Sequence, residues 1–309
     1  MEPFELKNRH HGLKEQLINF CLISAATVSI LTTFGILFSI LFEAMEFFKM
    51  RSFWYFITGI EWSPGVDNSK FGAVPIFAGT FMITFIAMAV AVPIGLGSAI
   101  FLSEYASFSL RDKLKPLLEI LAGIPTVVYG FFAAITVAPA IVNFFDSFGV
   151  HASFNSALAS GLVMGIMIIP IMASLSDDVI RAVPDSQRKA SLALGMTEGE
   201  TILSIVLPSA LPGIIAATIL GLSKALGETM IVVMAAGLRP NLSWNALEDM
   251  TTVTVRIVDA LVGDNEFNSP DTLSAFALGL VLFVVTLILN IISTSMIRKF
   301  KEKYKVNTL

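Results

Sequence analysis

Six uninterrupted apolar stretches, at residues 19–42, 74–102, 117–142, 157–175, 211–237 and 272–297, constrain this chain more than any other feature. Each is long enough to cross a hydrocarbon core about 30 Å thick, which takes about 20 helical residues. Inside that core every backbone amide and carbonyl must be satisfied internally, so a spanning segment is a helix or part of a closed barrel. These runs are too long and alternate too little for barrel strands. The expected fold is therefore all-α, a polytopic helical membrane protein with about six transmembrane helices. The composition agrees, with 55% hydrophobic and 14% charged residues, against about a quarter charged in soluble domains. The first run outlasts the hydrophobic region of a cleaved signal, roughly 7–15 residues, and lacks a cleavage context, so it is expected to remain as an anchor. The chain then divides into a tail (1–18), a first span (19–42), a connection (43–71), a membrane domain with five further spans (72–297) and a basic tail (298–309).

The basic residues sort by connection. Lys7, Arg9 and Lys14 precede the first run, and Arg111, Lys113 and Lys115 separate the second and third. Arg181, Arg188 and Lys189 separate the fourth and fifth, and Arg298, Lys299, Lys301, Lys303 and Lys305 follow the sixth. Excess Lys and Arg marks cytoplasmic connections, so both termini are expected inside. The opposite side carries Lys49, Arg51, Lys70, Arg239 and Arg256, and its last connection is acidic, with Glu248, Asp249, Asp259, Asp264, Glu266 and Asp271. A net charge of −4 distributed in this way reports topology and indicates no nucleic-acid partner. Cys21 is the single cysteine, which excludes a disulfide framework and a cysteine metal site.

Pro93, Pro125, Pro139 and Pro170 fall inside apolar runs. Each removes a helical hydrogen bond and kinks or interrupts its helix. Gly161 and Gly165, four apart, allow the fourth span to approach a neighbour closely. Between the first two spans Phe47, Phe48, Phe53, Trp54, Tyr55, Phe56 and Trp62 gather with few charges, as expected of a segment lying at a membrane interface, and residues 63–68 read as a turn.

Residues 176–207 are too polar to cross a membrane. Pro184 can open a helix, Gly195 suits the turn that closes it, and Pro208 can start the next span. The expectation is a short helix, a turn and a second helix on the cytoplasmic face. In the fifth run Lys224 and Glu228 stand four apart in an otherwise apolar helix, which places both on one face. Each ionised group in mid-membrane costs about 2.5–3.5 kcal/mol on insertion scales, so such groups usually face a bundle interior and mark a pathway. A self-neutralising pair that fixes helix packing is the other reading. The phosphate loop Gly-x-x-x-x-Gly-Lys-Ser/Thr is absent, so ATP hydrolysis by this chain is not expected. Nor is there a His-Glu-x-x-His pair or a Gly-x-Ser-x-Gly elbow, and His10, His11 and His151 lie in flanking connections.

The polar loop resembles that of importer permeases of the ATP-binding-cassette class, which carry Glu-Ala-Ala, three residues, Gly, nine residues, then Ile-x-Leu-Pro. Gly195, Ile205, Leu207 and Pro208 fit that pattern, while Lys189, Ala190 and Ser191 stand where the family has Glu-Ala-Ala. The resemblance implies that residues 185–204 dock on a cytoplasmic ATPase. From Phe53 onward the chain also resembles the PstC family of phosphate transport permeases. The resemblance rests on FGAVPIFAGT at 71–80, EILAGIPTVVYG at 119–130, MIIP at 167–170 and ALGETM at 225–230. It implies the type I importer permease fold in the cytoplasmic (inner) membrane of a prokaryote. It also implies a phosphate pathway past Lys224, Glu228 and Thr229, with Lys224 replacing the family's arginine. Arginine offers a planar fork matched to phosphate, whereas lysine is a point charge. The same resemblance implies a second, PstA-like permease, PstB-like ATPase subunits and a PstS-like extracytoplasmic phosphate-binding protein, all around a lipid-embedded chain. ATP and Mg would be held by the ATPase and no cofactor by this chain. An importer of another oxyanion (molybdate, sulfate or phosphonate) and a secondary transporter are the alternatives.

Overall fold

The computed structural model describes residues 13–64, 69–262 and 266–303. Lys7, Arg9, His10, His11, residues 65–68 of the expected turn, Asp264 and the tail from 304 lie outside them. Six helical stretches are long and apolar enough to cross a membrane: Glu15–Met50, Val74–Tyr105, Thr126–Asp146, Ala157–Arg181, Glu198–Leu226 and Pro270–Arg298. Below, the end carrying the Gly195 turn is the loop end and the other is the far end.

Helix α1 (Leu13–Met50) is longer than the 19–42 span expected, because its polar flanks continue the helix in both directions. It lies almost wholly exposed, and its seam is with the last helix, α13 (Pro270–Lys303). The aromatic connection is packed into a small folded unit. A short helix α2 (Phe53–Thr58) and a two-stranded hairpin, β1 (Trp62–Ser63) with β2 (Lys70–Phe71), fold back so that Trp62 pairs with Phe71. Phe47 meets Phe48, Phe56 and Phe71 edge to face at 5.4 Å in each case, and Phe47 and Phe56 are fully buried. Such edge-to-face pairs add about 0.5–1.5 kcal/mol each beyond the area they bury. Trp54, 74% exposed, remains at the surface.

The centre of the bundle is α3 (Val74–Ile100) against α7 (Ala157–Arg181). A Cβ added to Gly161 would lie 2.7 Å from the Ile86 side chain, and one on Gly165 would lie 2.9 Å from the Ala87 carbonyl. In lipid, where neighbouring tails are as apolar as the side chains, close approach supplies the packing that a hydrophobic drive cannot. Pro93 and Pro170 sit inside these two helices without ending either.

The third apolar run is not one helix. An amphipathic helix α4 (Phe108–Ala122) takes its first part, the chain breaks at residues 123–125, and α5 (Thr126–Phe132) begins the span proper. Gly123 and Pro125 explain the break, since a residue before proline is steered out of the helical region. Pro139 and Pro208 are accommodated differently. A π turn at Ala133–Val137 precedes α6 (Ala138–Asp146), and a second at Ile202–Val206 precedes α10 (Leu207–Leu226). In each, the last amide bonds five residues back, from Ala138 to Ala133 and from Leu207 to Ile202, one residue ahead of the proline. Widening the turn removes the clash that proline's ring makes with the carbonyl four residues earlier.

Candidate functional site

Two regions carry the residues singled out by sequence. At the loop end α7 closes at Arg181, α8 (Asp185–Ala193) follows, and α9 (Glu198–Thr201) runs through the π turn into α10. The second helix expected of the loop is thus the first turn of the fifth span, not a separate cytoplasmic element. Gly195 joins α8 to α9 with φ +87°, a left-handed conformation open to glycine. No neighbour lies within 4 Å of a Cβ added there, so the requirement is conformational. Thr197 and Glu200 form a reciprocal cap on α9. Ser191 is buried, and its hydroxyl lies 2.9 Å from that of Thr201. Lys189 and Ala190 are exposed, and Ile205, Leu207 and Pro208 are half-buried. Ala190, Ser191, Leu194, Ile205 and Pro208 line an open cleft of about 1180 Å³, with Leu194 85% exposed.

Ion pairs brace this end, and sequence reasoning, which gave each charge to a loop, did not pair them. Arg111 of α4 reaches Asp177 of α7 at 2.8 Å, and Lys115 pairs with Asp178. Arg188 of α8 reaches Glu104 at 3.0 Å. Asp177 and Glu104 stood at the ends of apolar runs, which was the available signal.

The second region is a break in the fifth run. Helix α10 ends at Leu226, Gly227 to Thr229 are non-helical, and α11 (Met230–Ala235) resumes the path. Lys224 and Glu228 therefore do not share a helical face, contrary to expectation. Glu228 is 7% exposed, and its Oε1 accepts from the backbone N–H of Met230 at 3.0 Å and of Ile231 at 3.4 Å. It satisfies first-turn donors of α11 that lipid could not. Its carbonyl accepts from the Thr254 hydroxyl at 2.8 Å, and the Thr252 and Thr254 hydroxyls are 3.0 Å apart. The Val253 amide at the start of α12 (Val253–Val262) donates to Thr80 Oγ1 of α3 at 3.0 Å. Hydroxyls thus bridge the break to α3, a role the dispersed threonines did not announce. Lys224 is half-buried and forms no hydrogen bond or ion pair among the described residues, and Thr229 is also half-buried. Thr80 lies six residues into α3, about 9 Å from its far end at 1.5 Å per residue, so the break sits in the far third of the bundle, not at its midpoint.

Residues 91–302 match the model of a family described as the binding-protein-dependent transport system inner membrane component. The chain belongs to this family. The inner membrane component is 32% identical over 290 residues to the phosphate transport system permease protein PstC 1 of Mycobacterium tuberculosis, covering 83% of this chain and 85% of the relative. It is 33% identical to PstC of Mesorhizobium japonicum, covering 80% and 79%, and 34% identical to the probable ABC transporter permease protein YqgH of Bacillus subtilis, covering 75% and 73%. Among solved structures, a chain of a bacterial ABC transporter involved in the import of alginate superposes with a TM-score of 0.65 at 14% identity, over 93% of this chain and 98% of that one. At that identity the likeness establishes the fold of a type I importer permease and nothing finer. The inner membrane component is a multi-pass protein of the prokaryotic cytoplasmic membrane, and its family works with an ATPase and a binding protein.

Proposed function

We propose that this chain is the PstC-like permease subunit of an ATP-driven phosphate importer, with both termini in the cytoplasm. The observation that carries the reading is the similarity to phosphate transport permeases over four-fifths of both chains. In this reading the cleft at the loop end receives a PstB-like ATPase, and Leu194, 85% exposed beside it, supplies apolar surface for contact. ATP and Mg belong to that ATPase; this chain binds no cofactor and performs no catalysis. A PstA-like permease completes the pathway, and a PstS-like protein delivers phosphate at the far end. Lys224, without a partner among the described residues, offers ammonium donors to a passing anion, and Thr229 a hydroxyl. Glu228 repels the anion and holds the break in shape, which favours transit over trapping.

The test is ATP-dependent uptake of labelled phosphate by the reconstituted four-component complex, competed with sulfate and molybdate. Uptake that both competitors leave unchanged is expected. Transport of another oxyanion in its place would overturn the substrate, and uptake driven by a proton gradient without ATP would overturn the importer class. Lys224→Ala with full uptake at normal expression would remove Lys224 from the pathway.

A further inference from the structure

Helix α8 has little apolar anchoring at the loop end. Among the described residues it buries Ser191 alone, whose hydroxyl turns toward Thr201 in the next helix. Gln187 Oε1 accepts from the Ser209 hydroxyl of α10 at 3.2 Å, and Arg188 makes the most hydrogen bonds of any α8 side chain to other parts of the fold. Its guanidinium donates to the carbonyl of Ile180, near the end of α7, at 2.9 Å and to that of Val183, just beyond it. It also reaches Asp185 on its own helix at 3.4 Å and Glu104 at 3.0 Å. Arg188 and Glu104 are 19% and 12% exposed, so the pair is poorly screened by water.

Glu104 lies in a third π turn, Phe101–Tyr105, which ends the long second span; Ala106 N–H bonds back to the Phe101 carbonyl at 2.8 Å. A π turn carries one residue more than the helix around it, and such turns recur at functional positions. The span it ends is α3, the helix packed on α7 and bridged through Thr80 to the Glu228 break. A displacement of α8 along its axis thus pulls on the end of α3 through the Arg188 fork, while Gln187 and Ser191 link α8 to α10 and α9, and α3 leads to the break.

We infer that Arg188, through Glu104, is a positioning residue that transmits movement of α8 to α3 and so couples ATP hydrolysis to transport. The inference rests on the proposed importer function. The other charges near the pair, Arg111, Lys115, Asp177 and Asp178, are committed to one another between α4 and α7, so this link is separate from that brace.

The experiment compares wild-type, Glu104→Gln and Arg188→Lys forms of the reconstituted complex, together with the charge swap Arg188→Glu/Glu104→Arg. Assembly, ATP hydrolysis and uptake of labelled phosphate are read in parallel. Glu104→Gln and Arg188→Lys are expected to assemble and hydrolyse ATP at wild-type levels while transporting about tenfold less per ATP, within the usual range of coupling between sites. The swap is expected to recover part of the ratio. An unchanged ratio in Glu104→Gln, or assembly, hydrolysis and uptake falling together in both single variants, would overturn the inference. A wild-type complex that carries sulfate or molybdate in place of phosphate counts against the substrate alone, and the ratio is then read with that anion.

Discussion

Replacing Glu228 separates two roles that one carboxylate combines. Its Oε1 accepts two backbone N–H groups of α11, from Met230 and Ile231, in a residue 7% exposed. Alanine removes that acceptor. Losing a helix cap costs about 0.5–2 kcal/mol, and an unsatisfied buried donor about 1–3 kcal/mol. With overlap between the two, Glu228→Ala should lose about 2–4 kcal/mol. Glutamine keeps a carbonyl oxygen at the same position, so Glu228→Gln should stay within about 1 kcal/mol of wild type. At about 2–4 °C per kcal/mol, the factor for domains somewhat smaller than this chain, the thermal midpoint in detergent should drop by about 4–16 °C for alanine and by less than about 4 °C for glutamine. Uptake measured beside it reads the charge: if glutamine is stable but transport-impaired, the negative charge acts in the pathway. Equal loss of stability in the two variants, or none in alanine, would refute the capping argument.

Three further outcomes follow. Gly195→Ala should strain the α8–α9 turn by about 1–2 kcal/mol, with no steric clash, and weaken co-purification of the ATPase, whereas Gly195→Asn should retain more of it. Asp177→Ala should destabilise the purified protein by about 2–4 kcal/mol, because it strands Arg111, whose side chain is 17% exposed, and the double Asp177→Ala/Arg111→Ala should recover part of the loss in a thermal melt. Hydrogen bonds from Asn241, then Ser243 and Asn245, hold the Glu248 carboxyl below its ordinary value of 4.5. A depressed folded value stabilises the 237–250 loop fully above that pH and ceases to do so as pH falls through the folded value. Protection of the Asn245 and Leu247 amides, measured as exchange relative to the intrinsic rate at each pH, should therefore fall below about pH 4.5, and Glu248→Gln should abolish the dependence.

What was legible in the sequence followed from demands that admit few solutions. The bilayer requires long apolar helices, so six spans stood out. The Gly195 to Pro208 spacing marked the helix pair because a left-handed turn and a helix start need those residues. The break at residues 227–229 was hidden because its hydrogen bonds are supplied by Thr254 and by Glu228 itself, and the sequence pairs neither with the break. Gly123 and Pro125 did signal the break in the third run, but the apolar residues on both sides masked it. The packing within the aromatic cap was hidden for a different reason. Phe47 and Phe71 are far apart in the chain, and burial of that kind comes from tertiary contact, not from composition.

The first helix shares its main seam with α13 and leaves most of its surface to lipid, while the match to the family begins only at residue 91. It behaves as a sleeve alongside the transport machinery. The part of this helix before Ala44 can vary over evolution with little repacking of the core, whereas Ala44 and Phe47 are fixed by their place in the aromatic cluster. The 38 residues of α1 span about 57 Å, well beyond the hydrocarbon thickness. A surplus of that size is accommodated by tilt or by turns that run past the hydrocarbon.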